Sequence, residues 1–276
     1  MNLANKLDIV NLSDVGRRRP HNEDSTLTDA RLGLMVLADG MGGYKAGEVA
    51  SAIAVTSIHE GVRGRLKALR HGGQPVGANG QTPQLQAVKE AIIYSNSEIY
   101  RKAQRDPQCH GMGTTIIAAL FHDNSVTIAH VGDSRAYRLR RNEFRQITKD
   151  HSLIQELIDR GLYTPEEAAL TTPRNLVTRA LGIEPEVKVD IMEEQASPGD
   201  IYLLCSDGLN DMVDDEEIHL TLSKYSANLV QAAEELVRLA NAKGGRDNTS
   251  VILIRIREEF PASGRIWNKL INHFFD

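Results

Sequence analysis

The chain has 276 residues, 41% hydrophobic and 25% charged, with a formal charge of −5. It can bury a core as one large domain or two small ones, and it lacks the global basic field that favours nucleic acid. Cys109 and Cys205, its two cysteines, are too few for a disulfide framework and lack metal-finger spacing, which excludes a disulfide scaffold and fits a reducing compartment.

In chain order, apolar and β-branched runs bounded by turn residues predict strands at 7–12 and 34–38. A helical period follows at 47–62, then a Gly-, Gln- and Pro-rich surface loop at 70–82 and a helix at 83–105. Strands at 115–121, 126–131 and 136–139 lie close enough together to form antiparallel hairpins. A helix at 152–160 precedes strands at 187–191 and 201–205; helices at 215–223 and 227–242 lead to a last strand at 250–256. Long helices come in pairs rather than alternating strictly with strands, so the expected class is α+β, a layered sandwich. The tail, 259–276, carries Ile266, Trp267, Leu270, Ile271, Phe274 and Phe275 at helical spacing. It reads as an amphipathic helix that either docks on the domain or anchors the chain to a partner or a membrane surface. The opening segment MNLANKLDIVNLSD lacks the apolar core of a signal peptide, and no apolar run reaches the roughly 18 residues of a membrane span. A cytoplasmic location is expected, with no transmembrane segment and no nucleic-acid partner.

Three aspartates are each set against an apolar run: Asp39 in MVLADGMGG, Asp207 in IYLLCSDGLND and Asp247 in GGRDNTSVILI. A carboxylate at the end of a hydrophobic strand is poorly hydrated and needs a positive partner or a proton. No Lys or Arg lies within two residues of Asp39 or Asp207, whereas hard divalent cations take oxygen ligands from distant segments. Asp133, in VGDSR, is a fourth acid at a strand terminus. VGRRRPHNEDS places Arg19 just before Glu23 and Asp24. Its guanidinium can bind a phosphate through two parallel hydrogen bonds, or the segment is a basic turn paired to its own acids. No Walker loop, dinucleotide fingerprint or serine-hydrolase elbow is present. In TKDHS, Asp150 or Ser152 is a candidate helix cap.

In order, the motifs R-x-x-x-E-D (Arg19, Glu23, Asp24), D-G-M-G-G, G-M-G-T-T, G-D-S-R, D-H-S, T-R-A-L-G, S-D-G-L and G-x-x-D-N-x-S run from about residue 10 to 256. This set resembles the metal-dependent protein phosphatases of type 2C in their bacterial form. The resemblance implies a four-layer α-β-β-α sandwich, two central antiparallel β-sheets flanked by helix pairs, with a catalytic domain over 1–258 and a flap at about 152–179. It implies two Mg²⁺ or Mn²⁺ ions, and the weaker third that bacterial members often bind, with Asp39 bridging, the Gly40 carbonyl facing the second ion, and Asp207 and Asp247 completing the first ion's site. Glu23 would reach the second ion through water, and Asp133 would hold the third ion together with Asp207. Asp24 would be a nearby supporting carboxylate, and Arg19 would hold the substrate phosphate.

Phosphorylated serine and threonine residues in proteins are the implied substrates, and a Ser/Thr kinase and its targets the implied partners. Two such ions about 3.5 to 4 Å apart lower the pKa of a shared water enough to supply hydroxide for in-line attack on phosphorus, which needs no cysteine nucleophile. Asn248 and Ser250 are expected to orient Asp247. Met41 stands where eukaryotic members often carry a histidine that is a candidate general acid, so the leaving-group proton must come from elsewhere. Two rivals remain: hydrolysis of a small phosphoester, and a phosphoprotein-binding scaffold, which would be expected to lose the metal carboxylates.

Overall fold

The computed structural model describes residues 2–42, 46–70, 81–164, 167–168, 171, 173 and 176–261. Eleven strands are described: β1 (Leu7–Asp14), β2 (Asp24–Asp29), β3 (Leu34–Met41), β4 (Gly113–Thr114), β5 (Ile116–His122), β6 (Ser125–Val131), β7 (Arg135–Arg140), β8 (Glu143–Gln146), β9 (Asp190–Gln195), β10 (Ile201–Cys205) and β11 (Thr249–Ile256). The helices are α1 (Ala46–Arg70), α2 (Pro83–Arg105), α3 (Leu153–Asp159), α4 (Asp207–Asn210), α5 (Asp215–Lys224) and α6 (Leu229–Ala242), with a 3₁₀ turn at Pro107–Cys109. One sheet has the order β1-β11-β10-β7-β8 and the other β2-β3-β5-β6-β9, with β4 attached to β3. Every strand pairing is antiparallel.

The two-residue period of a strand explains the layers. In β3, Leu34, Val36 and Ala38 face Ile58 of α1 and Ile92 and Ile99 of α2. The alternate residues Met35 and Leu37 join Ile117 and Phe121, and meet Tyr202, Leu204, Ile252 and Ile254 of the other sheet. On that sheet's far side Leu203, Val251 and Leu253 pack against Leu222 of α5 and Leu236 of α6. Three apolar layers thus separate helices, sheet, sheet and helices, as the α+β sandwich requires. Burying each such Leu or Ile side chain contributes about 1.5–3 kcal/mol.

Helix ends follow local chemistry. Thr82 caps α2 by accepting from the Leu85 N–H, with Pro83 at its first position. Asp214 and Glu217 form a capping box on α5. Two sequence expectations change. Helix α1 runs eight residues beyond 62 to Arg70, and at Gly61 it lies close against α2, where a Cβ would stand 3.1 Å from that of Ala91. The strand expected at 187–191 lies at Asp190–Gln195, where its partly polar run pairs with β6 from Ser125↔Gln195 to His130↔Asp190. Of the loop expected at 70–82, Arg70 belongs to α1 and Thr82 caps α2, while 71–80, the tail helix beyond Pro261 and part of the 152–179 flap lie outside the described residues. Phe260, at the start of that tail, is buried against Phe121, with ring centroids 6.3 Å apart.

Candidate metal-dependent active site

One edge of the sandwich gathers the acids. Antiparallel pairing puts Asp24, at the start of β2, opposite Asp39, near the end of β3. Strand β10 ends at Cys205 opposite Val251 of β11, so Asp207 and Asp247 leave adjacent strands at the same edge. Asp133 follows the end of β6. Residues more than 200 positions apart in the chain are thereby carried to one cleft by strand register.

Asp39 is fixed through its backbone. Its N–H donates to Thr115 Oγ1 at 3.1 Å, its carbonyl accepts from Thr114 Oγ1 at 2.8 Å and from the Thr115 N–H at 2.8 Å, and Thr115 Oγ1 lies 2.7 Å from Ser134 Oγ. The next residue must be glycine: a Cβ at Gly40 would come within 2.2 Å of the Gly47 carbonyl oxygen. Gly47, near the start of α1, in turn lets the Glu23 carboxylate approach, since a Cβ there would stand 2.9 Å from its carboxyl carbon. Glu23 thus lies at a helix N-terminus, where an anion is favoured.

Asp24 accepts from Ser250 Oγ at 2.6 Å and from Ser206 Oγ at 2.8 Å, both at Oδ2. Ser250 therefore orients Asp24 and not Asp247, which corrects the expected role. Asn248 does more than expected. Its backbone N–H meets Asp247 Oδ1 at 2.8 Å, while its side chain accepts from the Glu23 N–H and donates to the carbonyls of Val15 and His21. It staples the segment carrying Arg19 and Glu23 to the start of β11.

The carboxylates are crowded. Burial and the charges of Asp24, Asp207, Asp133 and Asp247 hold Asp39 well above the usual carboxylate range. Burial and the charges of Asp133, Asp211, Asp247 and Asp24 do the same to Asp207. Burial pushes Asp133 up to about 6, with Asp150 and Asp211 adding to it. Asp24 also rises to about 6, burial and nearby Asp247 outweighing its two hydroxyl donors. Asp24 Oδ1 and Asp207 Oδ1 are buried with no hydrogen-bond donor. As the side chains stand, no group of three or more His, Cys, Asp or Glu residues forms a ready ligand set among the described residues. The positive charge beside Asp247 is Arg19, whose Nη2 lies 2.6 Å from Asp247 Oδ2. Arg19, expected to hold phosphate, is thereby placed half-exposed at the rim of the carboxylate cluster. Orphaned oxygens, mutual repulsion and an all-oxygen donor set fit a hard divalent cation.

Several contributors were not singled out by sequence. Thr114 and Thr115 sat within a recognised motif without a role, and Ser206 and Asp211 flank Asp207 in the same apolar-run signature. Gly47 had no signal beyond a helix start. In TKDHS, Ser152 caps α3 by accepting from the Gln155 N–H, while Asp150 takes two guanidinium nitrogens of Arg135 at 2.7 and 3.0 Å. Both cysteines are buried free thiols, and burial pushes Cys205 up to about 12, which rules out a nucleophilic thiolate there at neutral pH.

The sandwich and its acidic edge define a class that comparison with known proteins identifies. The family model described as Protein phosphatase 2C matches residues 17–243, and the chain belongs to that family. Serine/threonine protein phosphatase PstP of Mycobacterium tuberculosis is 41% identical over 241 residues, covering 87% of this chain and 43% of that protein. Serine/threonine phosphatase stp of Listeria monocytogenes is 37% identical over 245 residues, covering 88% of this chain and 93% of that protein. The solved catalytic domain of PstP in complex with two manganese ions aligns with TM-score 0.77 and 38% identity, covering 92% of this chain and 99% of that one. The chain thus spans less than half of the mycobacterial relative's length.

Proposed function

We propose that the chain is a Mg²⁺- or Mn²⁺-dependent phosphatase of phosphoserine and phosphothreonine in proteins, opposing a Ser/Thr kinase. The observation that carries this reading is the crowded set of Asp24, Asp39, Asp133, Asp207 and Asp247 with two donorless buried oxygens. The two manganese ions of the mycobacterial relative support the same reading. Asp39, Asp207 and Asp247, with the Gly40 carbonyl, would hold the core ions, and Glu23 and Asp133 would complete their surroundings. Divalent ions bound there supply Lewis acidity and lower the pKa of water near the phosphorus.

This chain's own residues then bind and orient. Arg19, beside Asp247 at the rim of the cluster, would grip two phosphoryl oxygens and stabilise their growing charge. Asn248 keeps Arg19 and Glu23 in register with Asp247. Met41 carries no proton for the leaving alkoxide. The catalytic unit would cover 1–258. Among the described residues no helix is long and apolar enough to cross a membrane, and two free thiols fit a cytoplasmic location.

Phosphate release from a phosphothreonine peptide tests this function. Wild-type protein with Mn²⁺ turns over, whereas chelator, Asp39→Asn or Asp207→Asn each abolish release. Activity that survives chelator and both variants would refute the reading.

A further inference from the structure

The cleft beside Asp247 measures about 780 Å³, far more room than one phosphoryl group needs, and its wall includes Arg19, Met212, Lys243 and Arg246. A net charge of −5 and an acidic floor oppose the approach of an anion, so the cations at this mouth bear on what enters. Arg19 is paired with Asp247 and Lys243 with Glu217. Arg246 is exposed and makes no ion pair or side-chain hydrogen bond among the described residues, and the same holds for Arg17.

A two-glycine turn brings the backbone of Arg17 to the residue before Arg246. Gly244 and Gly245 adopt φ of 134° and 49°, left-handed values that favour glycine. The Arg17 N–H donates to the Gly245 carbonyl at 2.7 Å, and a Cβ at Gly245 would stand 2.7 Å from Arg17 Cγ. Arg246 Cγ lies 3.7 Å from where a Gly244 Cβ would be, next to the residue that anchors Arg19. Arg246, on the cleft wall, thus offers an unpaired guanidinium whose planar fork suits a carboxylate or a phosphate.

We propose that Arg246, on the cleft wall and with Arg17 on the segment bonded to the preceding glycine, forms a subsite for a second anionic group on the phosphoprotein substrate, a carboxylate or a further phosphate a few residues from the scissile phosphoester. The proposal rests on the phosphatase reading and adds substrate selection to it. Arg246 acts there as a specificity residue and touches no reacting atom.

The test measures kcat/KM of the full chain with Mn²⁺ on an aryl phosphate and on three phosphothreonine peptides, flanked by alanines, by aspartates, or by alanines and a second phosphothreonine. The wild type favours the anionic peptides. Arg246→Ala lowers kcat/KM on them by roughly two- to fivefold, the range for an exposed ion pair, and leaves the aryl phosphate and the alanine peptide unchanged. Arg246→Glu removes the preference altogether. A loss confined to one anionic peptide also supports the subsite and identifies carboxylate or phosphate as its ligand. A wild type that does not discriminate, or a preference that survives Arg246→Glu combined with Arg17→Ala, overturns the proposal. Failure of the phosphatase reading shows separately, as no aryl phosphate hydrolysis by the wild type. Fluorescence anisotropy of the labelled peptides with the same variants then decides the subsite by the same criteria.

Discussion

Asp24 shows how a single carboxylate is held beside the proposed ion site without touching substrate. Asn22 Nδ2 donates to Ser13 Oγ at 2.8 Å, Ser13 Oγ lies 2.7 Å from Ser250 Oγ, and Ser250 Oγ donates to Asp24. The chain of hydroxyls fixes which oxygen of Asp24 stays donorless and faces the cluster. Groups that orient the carboxylates of a metal site typically matter by 10–100-fold when removed. Ser250→Ala is therefore expected to lower Mn²⁺-supported phosphopeptide turnover by roughly 10–100-fold while the thermal midpoint moves little. A large loss of midpoint at unchanged activity would make Ser250 structural only. Sequence reasoning found Ser250 but joined it to the wrong aspartate, because the correct partner is 226 residues away and is reached only through strand pairing.

At the scale of elements, β3 and α1 meet through two glycines, and the end of β3 is where the site begins. A Cβ at Gly40 would lie 2.2 Å from a backbone oxygen of Gly47, and backbone cannot swing away as a side chain can. Gly40→Ala is expected to destabilise the fold by about 1–3 kcal/mol, the usual cost of overpacking, and to reduce activity by more than that loss explains, measured by denaturant titration and kcat/KM together.

The segment before α3 supplies a pH signature. The Gly132 N–H donates to His151 Nδ1 at 3.0 Å, leaving Nε2 to carry the proton toward Asp190 at 3.3 Å, and the ring stacks on His130 at 4.6 Å. Burial, then the charges of His130 and Arg179, hold His151 down at about 4, and burial also lowers His130. Between the ordinary histidine value and about 4 the unfolded chain takes up a proton at this ring that the folded chain refuses, so the contribution of His151 to stability falls as pH drops through that window. The raised carboxylates of the cluster act in the opposite direction, so the test is the difference between wild type and His151→Gln: from pH 7 to pH 5 the denaturant midpoint of the variant should shift less towards instability than that of the wild type, and an identical pH dependence would contradict the assignment.

Most elements were legible from pattern. Helix α2 keeps its expected limits, and β3, β10 and β11 stand out as continuous apolar runs because they are buried on both faces. The missed strands β2, β4 and β8 are polar, very short or half-exposed, so tertiary pairing rather than composition makes them strands.

For the whole molecule, three apolar layers form a rigid frame whose edge concentrates like charges. The candidate acids Asp39, Asp207 and Asp247 were legible because a carboxylate abutting an apolar run is costly wherever it occurs. The pairing of Arg19 with Asp247 was not legible, since it depends on how the charge of the cluster is balanced. The same frame makes an account of function by metal binding directly measurable. Titration of the full chain with Mn²⁺, with bound ions counted by electron paramagnetic resonance, tests it without any substrate. Two tightly bound ions in the wild type, as in the mycobacterial catalytic domain, and loss of that binding in Asp39→Asn and Asp207→Asn are the predicted result. Equal numbers bound with equal affinity in all three proteins would contradict it.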